Sequence, residues 1–549
     1  MMQSNGLGGT SDHNVTETAF DAAKCKLSAV TQQYFADDFL RPFVHKPTRR
    51  IPLIHRGYYL RHIAISQCVE LFLSQNAADP ASSRMQIVSL GAGFDTLFFK
   101  LMLQKRRNIS FIEVDCEGIV DAKKQILTSD ASFAQFFASD SPQTSSNGGV
   151  DDPAIALQCH VAELESTYTL VACDLGDVAR LEASLVAARI DRLLPTLVIA
   201  ECVVSYLDPA KGTELLRCLA TWFTDATAVI YDPIALNDAF GETLQRYFAV
   251  KGCELRALRE FSSADDHYRR FLSLAQWQTC RIMDMNAIYA GCTNATEKKR
   301  LSDLEVFDEF ADWMLCNAHY AIFLMTNHRQ QQRSSTPWIT SFCSGDQVTP
   351  RMEATALRLS APASSSDCSR TSAGVVIIRT FEKRDLAAVQ ALFETTHLEY
   401  KSKAVKKFVA NRLRSGDMVD VFQSFMKPQS SQYSRQSCFW VALVDDKVIG
   451  CIGVKPVLST TKVEPTDFSQ PTAELCRLSV DASYRRLGIA SSLVAAVEAF
   501  ARTSGYKRLS LETISAMENA QQLYAALGYK EIMRESFQSF SLVRFEKEL

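Results

Sequence analysis

The sequence predicts an α/β protein of two fused units, the first a doubly wound sheet and the second a smaller α+β fold. Three observations carry this reading. Between Phe20 and Asn327, short and nearly continuous apolar runs alternate with helical periodicity, the pattern of parallel strands buried on both faces with helices between them. A Ser/Gln/Pro-rich stretch, 328–373, then breaks the pattern with a composition that cannot bury a core. A second periodic block starts at Val375 and runs to the last residue. A chain of 549 residues also exceeds one ordinary core.

In the first block the strands are QIVSL (86–90), ISFIEV (109–114), LVACDL (170–175), TLVIAE (196–201) and AVIYD (228–232). Helical segments between them include 63–75 and 210–223. The polar patch 139–152 reads as a surface insertion. The expected division is a disordered tail over 1–17, a first domain over 18–327, a flexible linker over 328–373 and a second domain over 374–549.

Bulk properties exclude several classes. The net charge of −3 lacks the basic excess of a nucleic-acid binder. Sixteen cysteines stand singly, without a CxxC pair or zinc-finger spacing, so free thiols in a reducing compartment are expected and no metal site is. The N-terminal stretch lacks a basic region followed by an apolar run. The best apolar stretch, Leu197–Leu207, is interrupted by Glu201 and falls short of the roughly 18 residues that span a bilayer. A cytoplasmic location without membrane contact is the expectation, and the Asn14-Val15-Thr16 sequon then carries no meaning.

The first strand leads into Gly91-Ala92-Gly93-Phe94-Asp95-Thr96. Glycines there let backbone approach a ligand ahead of a helix N-terminus. The third glycine of the dinucleotide fingerprint is missing, which disfavours NAD. Asp115 ends the second strand 24 residues beyond Gly91, where an acid accepts hydrogen bonds from ribose hydroxyls. Asp174 and Glu201 end later strands. Ligands of open parallel sheets bind at the carboxyl ends of the strands, so three acids and a glycine turn would converge on one crevice. An adenosyl ligand bearing a positive sulfonium suits such a rim.

Cys25-Lys26-Leu27-Ser28-Ala29-Val30, Arg56-Gly57-Tyr58-Tyr59-Leu60-Arg61, VSLGAGFDT, EVD, ACDL and LPTLVIAECVVSYL follow one another over about 18–327. In that order they resemble leucine carboxyl methyltransferase, which methylates the C-terminal leucine carboxylate of the protein phosphatase 2A catalytic subunit. The resemblance implies a Rossmann-like sheet that binds S-adenosylmethionine through Lys26, Arg61, Gly91, Asp115, Asp174, Leu175 and Glu201. It implies the phosphatase tail as partner. A carboxylate is already anionic at neutral pH, so its methylation needs no strong base; the site must align it with the methyl group and exclude water. A paralogous branch acts on a modified tRNA base and carries C-terminal β-propeller repeats. No such repeat is present here, and the near-neutral charge does not favour tRNA.

The second block opens on a strand, Val375–Arg379, and a helix through DLAAVQALFE. CFWVALV and VIGCIGVKP around Asp445-Asp446-Lys447 read as a hairpin. ELCRLSV (474–480) leads to Arg485-Arg486-Leu487-Gly488-Ile489-Ala490 at the start of a long helix. Backbone N–H groups, the helix dipole and two arginines make that turn a pyrophosphate cradle. A further strand, 507–514, precedes a helix carrying Asn519, Leu523 and Tyr524. The Arg-Arg-x-Gly-x-Ala turn and the later AxxLYxxxGY (520–529) resemble the two signatures of the GNAT superfamily of N-acetyltransferases. The resemblance implies acetyl-CoA as donor, with Leu478 and Val480 holding the pantetheine arm, residues 485–490 (Arg485, Arg486, Gly488, Ile489, Ala490) on the pyrophosphate and Asn519 nearby. Tyr524 would protonate the leaving thiolate and Glu474 would take the amine proton. The sequence does not name the amine.

Overall fold

The computed structural model describes residues 9–77, 84–137, 154–327, 342–343, 352–358, 374–400, 403–426, 436–457, 471–537 and 541–549. The chain divides into two units, Met1–Val348 and Thr349–Leu549, each with its own hydrophobic core.

The first unit holds strands β1 (Met85–Leu90), β2 (Ile109–Asp115), β3 (Ile155–Val161), β4 (Ser166–Ala172), β5 (Thr196–Glu201), β6 (Ala226–Pro233), β7 (Thr279–Asp284) and β8 (Tyr320–Thr326). They lie in the order β7-β8-β6-β5-β1-β2-β4-β3. The central five are parallel. They are also the five expected strands, because burial on both faces leaves them apolar along their length; every residue of β1 and of β6 is buried. β3, β7 and β8 add antiparallel edges. Since β1 pairs with β2 on one side and β5 on the other, the chain order reverses at β1, and a crevice opens above its carboxyl end.

Helix Pro52–Ala77 buries Tyr59, Leu60, Ala64, Ile65, Cys68, Val69, Phe72 and Leu73, a stripe at helical spacing. Helix Gly9–Thr31 packs beside it. This helix corrects the expected tail: residues 9–17 are helical, and only 1–8 lie outside the described residues. Its downstream half is anchored by buried Ala23, Cys25, Leu27 and Ala29, and an established helix extends cheaply into a Ser/Asp/Asn-rich start. The insertion expected at 139–152 lies outside the described residues.

The second unit orders its strands β15-β16-β14-β13-β12-β11-β10-β9. These are β9 (Met352–Arg358), β10 (Val375–Thr380), β11 (Cys438–Val444), β12 (Lys447–Pro456), β13 (Thr472–Val480), β14 (Arg508–Ile514), β15 (Lys530–Ser536) and β16 (Ser541–Glu548). The β11–β12 hairpin turns through Asp445 and Asp446 at φ 45° and 63°, left-handed values that two-residue hairpin loops require. Helices Leu386–Leu398, Lys403–Ser415, Ile489–Thr503 and Glu518–Ala526 belong to this unit. β13 and β14 form its one described parallel pair, and only over Thr472–Glu474 against Arg508–Ser510.

The linker expected over 328–373 is corrected at two places. Residues 342–343 sit in the first unit, with Phe342 buried and its carbonyl accepting from Arg281 at 2.9 Å. Strand β9 pairs antiparallel with β10. Its short Met-Glu-Ala-Thr-Ala-Leu-Arg alternation is masked in composition by the polar residues around it.

Candidate functional site

A cleft of about 1380 Å³ lies in the first unit at the carboxyl ends of the parallel strands, and Lys26, Arg61, Gly91, Asp115, Asp174, Leu175 and Glu201 all line it. The topology brings them together: β1 ends just before Gly91, β2 at Asp115, β4 just before Asp174 and β5 at Glu201. Helices Gly9–Thr31 and Pro52–Ala77 contribute Lys26 and Arg61.

Gly91 and Gly93 adopt φ 58° and 53°, conformations glycine takes without strain. A Cβ on Gly91 would stand 2.5 Å from a Val203 methyl, so the turn admits no side chain there. The Gly91 N–H donates to Val114 O at 2.8 Å, fastening the turn to β2.

Glu201 accepts from Arg61 Nε, and the second Arg61 nitrogen faces the Glu201 carbonyl at 3.5 Å. The guanidinium lies 4.9 Å over the Tyr231 ring and 5.8 Å from that of Tyr58. Burial pushes the Glu201 carboxyl up, but the charges of Arg61 and Lys26 outweigh it and hold the group down at about 2. Glu201 is therefore an anion throughout the neutral range. Lys26 Nζ stands 3.9 Å from Asp95. Asp174 is exposed at the rim and accepts from Gly176 N–H at 2.8 Å; Leu175 beside it is buried.

Sequence reasoning missed an aromatic wall of Tyr58, Tyr206, Tyr231 and Tyr320 in the same cleft. The Arg-Gly-Tyr-Tyr stretch signals Tyr58 and the end of AVIYD signals Tyr231. The other two carry no pattern. Also missed is Asp232, buried at the end of β6, which accepts from both N–H and Oγ of Ser205 at 2.9 Å. Burial pushes its carboxyl up to about 7, against the Ser205 hydrogen bonds and the Arg270 charge. Of the two arginines in the Arg56–Arg61 motif, Arg56 is structural: it is buried 4.2 Å over the Phe307 ring.

In the second unit, β13 carries a bulge: Arg477 stands at φ 60°, and the register against β12 shifts between Cys451 and Gly453. Beyond Glu474, β13 leaves β14, so Leu478 and Val480 lie past the paired stretch. Glu474 makes an ion pair with Lys455 at 3.4 Å. Arg485 donates to Val480 O at 3.0 Å and to both Glu399 oxygens at 2.7 and 3.0 Å. Arg486 and Gly488 adopt φ 63° and 83°, and Gly488 is the N-cap of helix Ile489–Thr503. The first-turn N–H groups at Ile489 and Ala490 have no intrahelical partner, and a Cβ on Gly488 would meet nothing within 4 Å.

Asn519 is exposed in the first turn of helix Glu518–Ala526. Tyr524, in the same helix, is buried with its ring 5.8 Å from Tyr529 and 6.3 Å from Phe545. Burial first, then the neighbouring Cys476 and Tyr400, raise its phenol above the ordinary tyrosine value. Among the described residues no group of His, Cys, Asp and Glu forms a metal site, and no helix is long and apolar enough to cross a membrane.

Comparison with known proteins fits this division. The family model described as leucine carboxyl methyltransferase matches residues 14–220, and that described as acetyltransferase (GNAT) family matches 410–529. Human tRNA wybutosine-synthesizing protein 4 is 35% identical over 56% of this chain and 43% of its own length. The leucine carboxyl methyltransferase 1 homolog of Arabidopsis thaliana is 31% identical over 57% of this chain and 89% of its own. This chain thus spans less than half of the first relative and most of the second. A GNAT-family acetyltransferase structure from Staphylococcus aureus Mu50 aligns with 32% of this chain and 99% of its own at 16% identity and a TM-score of 0.25.

Proposed function

The chain belongs to the leucine carboxyl methyltransferase family through its first unit, and from that premise we propose that this unit methylates the C-terminal leucine carboxylate of the protein phosphatase 2A catalytic subunit, while the second unit acetylates an amine. S-adenosylmethionine supplies an electrophilic methyl on a positive sulfur. The observation that carries the reading is the convergence of Gly91, Asp115 and the Arg61–Glu201 pair on one cleft. The glycine turn, closed to any side chain by Val203, is shaped for backbone contact with the donor. Asp115 would accept from its ribose. Lys26 and Arg61 would orient carboxylates, and Glu201 keeps its charge to hold Arg61 in place. The tyrosine wall excludes water from the reacting oxygen. At about 1380 Å³ the cleft exceeds the roughly 300–1,000 Å³ of an ordinary small-molecule site, which leaves room for a peptide end beside the donor.

In the second unit acetyl-CoA supplies an activated acyl group. Leu478 and Val480, beyond the stretch that pairs with β14, would offer backbone to its pantetheine arm, and the Arg485–Ala490 turn would hold its pyrophosphate, with Asn519 nearby. Glu474 would take the amine proton and Tyr524 would deliver one to the departing thiolate.

Labelled methyl transfer to the phosphatase catalytic subunit, with and without its terminal leucine, tests the first activity. Labelling that survives removal of the leucine refutes it. A second reading, methylation of a carboxyl on a modified tRNA base, is favoured by the 35% identity to the human wybutosine protein, and the net charge of −3 weighs against it. Transfer to tRNA in the same assay separates the two.

A further inference from the structure

The left-handed conformation of Arg477 is costly for a residue with a side chain. Such strain persists only where surrounding structure enforces it, and here the enforcing group is Asp417. Asp417 takes a two-pronged grip on the Arg477 guanidinium, with Arg477 Nε donating to Oδ1 at 3.1 Å and the terminal nitrogen to Oδ2 at 2.8 Å. Paired contacts of this geometry fix orientation as well as distance.

Asp417 is itself fixed. It lies in the turn after helix Lys403–Ser415, next to Met418 and four residues from Val421, both wholly buried. The Met418 carbonyl accepts from Gln390 of helix Leu386–Leu398 at 2.8 Å. The same carboxylate also faces Arg412 at 3.7 Å and Lys455 at 3.5 Å, and Lys455 reaches Glu474 at 3.4 Å. One acid therefore joins the bulge of β13 to the carboxylate read above as the base.

We propose that Asp417 is a positioning residue for acetyl transfer: its grip on Arg477 holds the bulge that turns β13 away from β14 and so leaves the Leu478–Val480 stretch unpaired with β14 for the acyl donor. The proposal rests on the acetyltransferase reading of the second unit. It assigns Asp417 no contact with donor or amine; Asp417 acts through Arg477. Without it, β13 relaxes toward ordinary extended geometry and the donor strand loses its free edge.

The test is calorimetric titration of the full chain with acetyl-CoA, each variant checked for its thermal midpoint. Asp417→Ala and Asp417→Asn are expected to weaken acetyl-CoA about tenfold, the size of effect that one strained residue supplies. Arg477→Gly in the Asp417→Ala background is expected to restore affinity to within about threefold, since glycine takes the left-handed conformation unaided. Rescue of binding by that second change, which adds no contact, is the result a merely structural role would not give. Unchanged affinity in both single variants, or loss that glycine fails to rescue, overturns the proposal. Wild-type protein that ignores acetyl-CoA overturns the acetyltransferase reading itself, and the proposal with it.

Discussion

Asp115 Oδ2 accepts the Gly93 N–H at 2.7 Å, so the acid that ends β2 closes the glycine turn that follows β1. Its Oδ1 accepts from Cys116 N–H at 2.8 Å. Burial raises the carboxyl above its usual range against these two donors. Each oxygen has a second lone pair, which leaves capacity for the ribose contact proposed above while the first holds the scaffold.

The two duties separate by substitution. Asp115→Ala strands two backbone N–H groups and is expected to cost about 1–3 kcal/mol of stability. Asp115→Asn keeps a carbonyl oxygen for Gly93 but sets an NH2 group against the Cys116 N–H, so its stability should fall between those of wild type and Asp115→Ala. It loses the charge-assisted contact, however, and S-adenosylmethionine should bind about tenfold or more weakly. Calorimetric titration reads the affinity; undiminished binding in Asp115→Asn removes the ribose role.

Asp232 makes a prediction with a definite sign. Its folded value of about 7 lies above the roughly 3.9 of an unfolded aspartate. The folded state therefore holds the proton more tightly, and stability is lost as pH rises through about 7. Asp232→Asn does not titrate and keeps an acceptor for Ser205. Its thermal midpoint relative to wild type should thus climb between pH 5 and pH 8. An offset that stays constant over that range shows that the carboxyl is already ionised at pH 5.

The outcome also shows which parts of the molecule were readable. β1, β2 and β5 are legible because strands buried on both faces are nearly continuous in apolar residues, and each ends in a residue of the cleft. β9 hides within polar neighbours, and residues 9–17 look like a tail because the burial that anchors their helix lies downstream. In the second unit ELCRLSV reads as a plain strand. Nothing in it marks Arg477 as left-handed, since the cause is Asp417, 60 residues away. Tyr206 and Tyr320 are likewise brought to the cleft by tertiary structure. Chemistry carried by glycines and strand-end acids shows locally, whereas walls and clamps assembled from distant segments do not.

Tyr524 combines packing and proposed chemistry in one side chain, and removing only its hydroxyl distinguishes them. The ring is buried at 6% exposure, edge-on to Tyr529, so Tyr524→Phe leaves the core filled and should melt within a few degrees of wild type. Burial keeps the phenol protonated across the neutral range, the state a donor to a thiolate needs. If that proton reaches the departing sulfur, the phenylalanine variant loses about 100-fold in turnover while acetyl-CoA affinity stays the same. Release of the free thiol from acetyl-CoA, followed against a panel of amines, provides the rate. Equal rates in the two proteins make Tyr524 a core aromatic and nothing more.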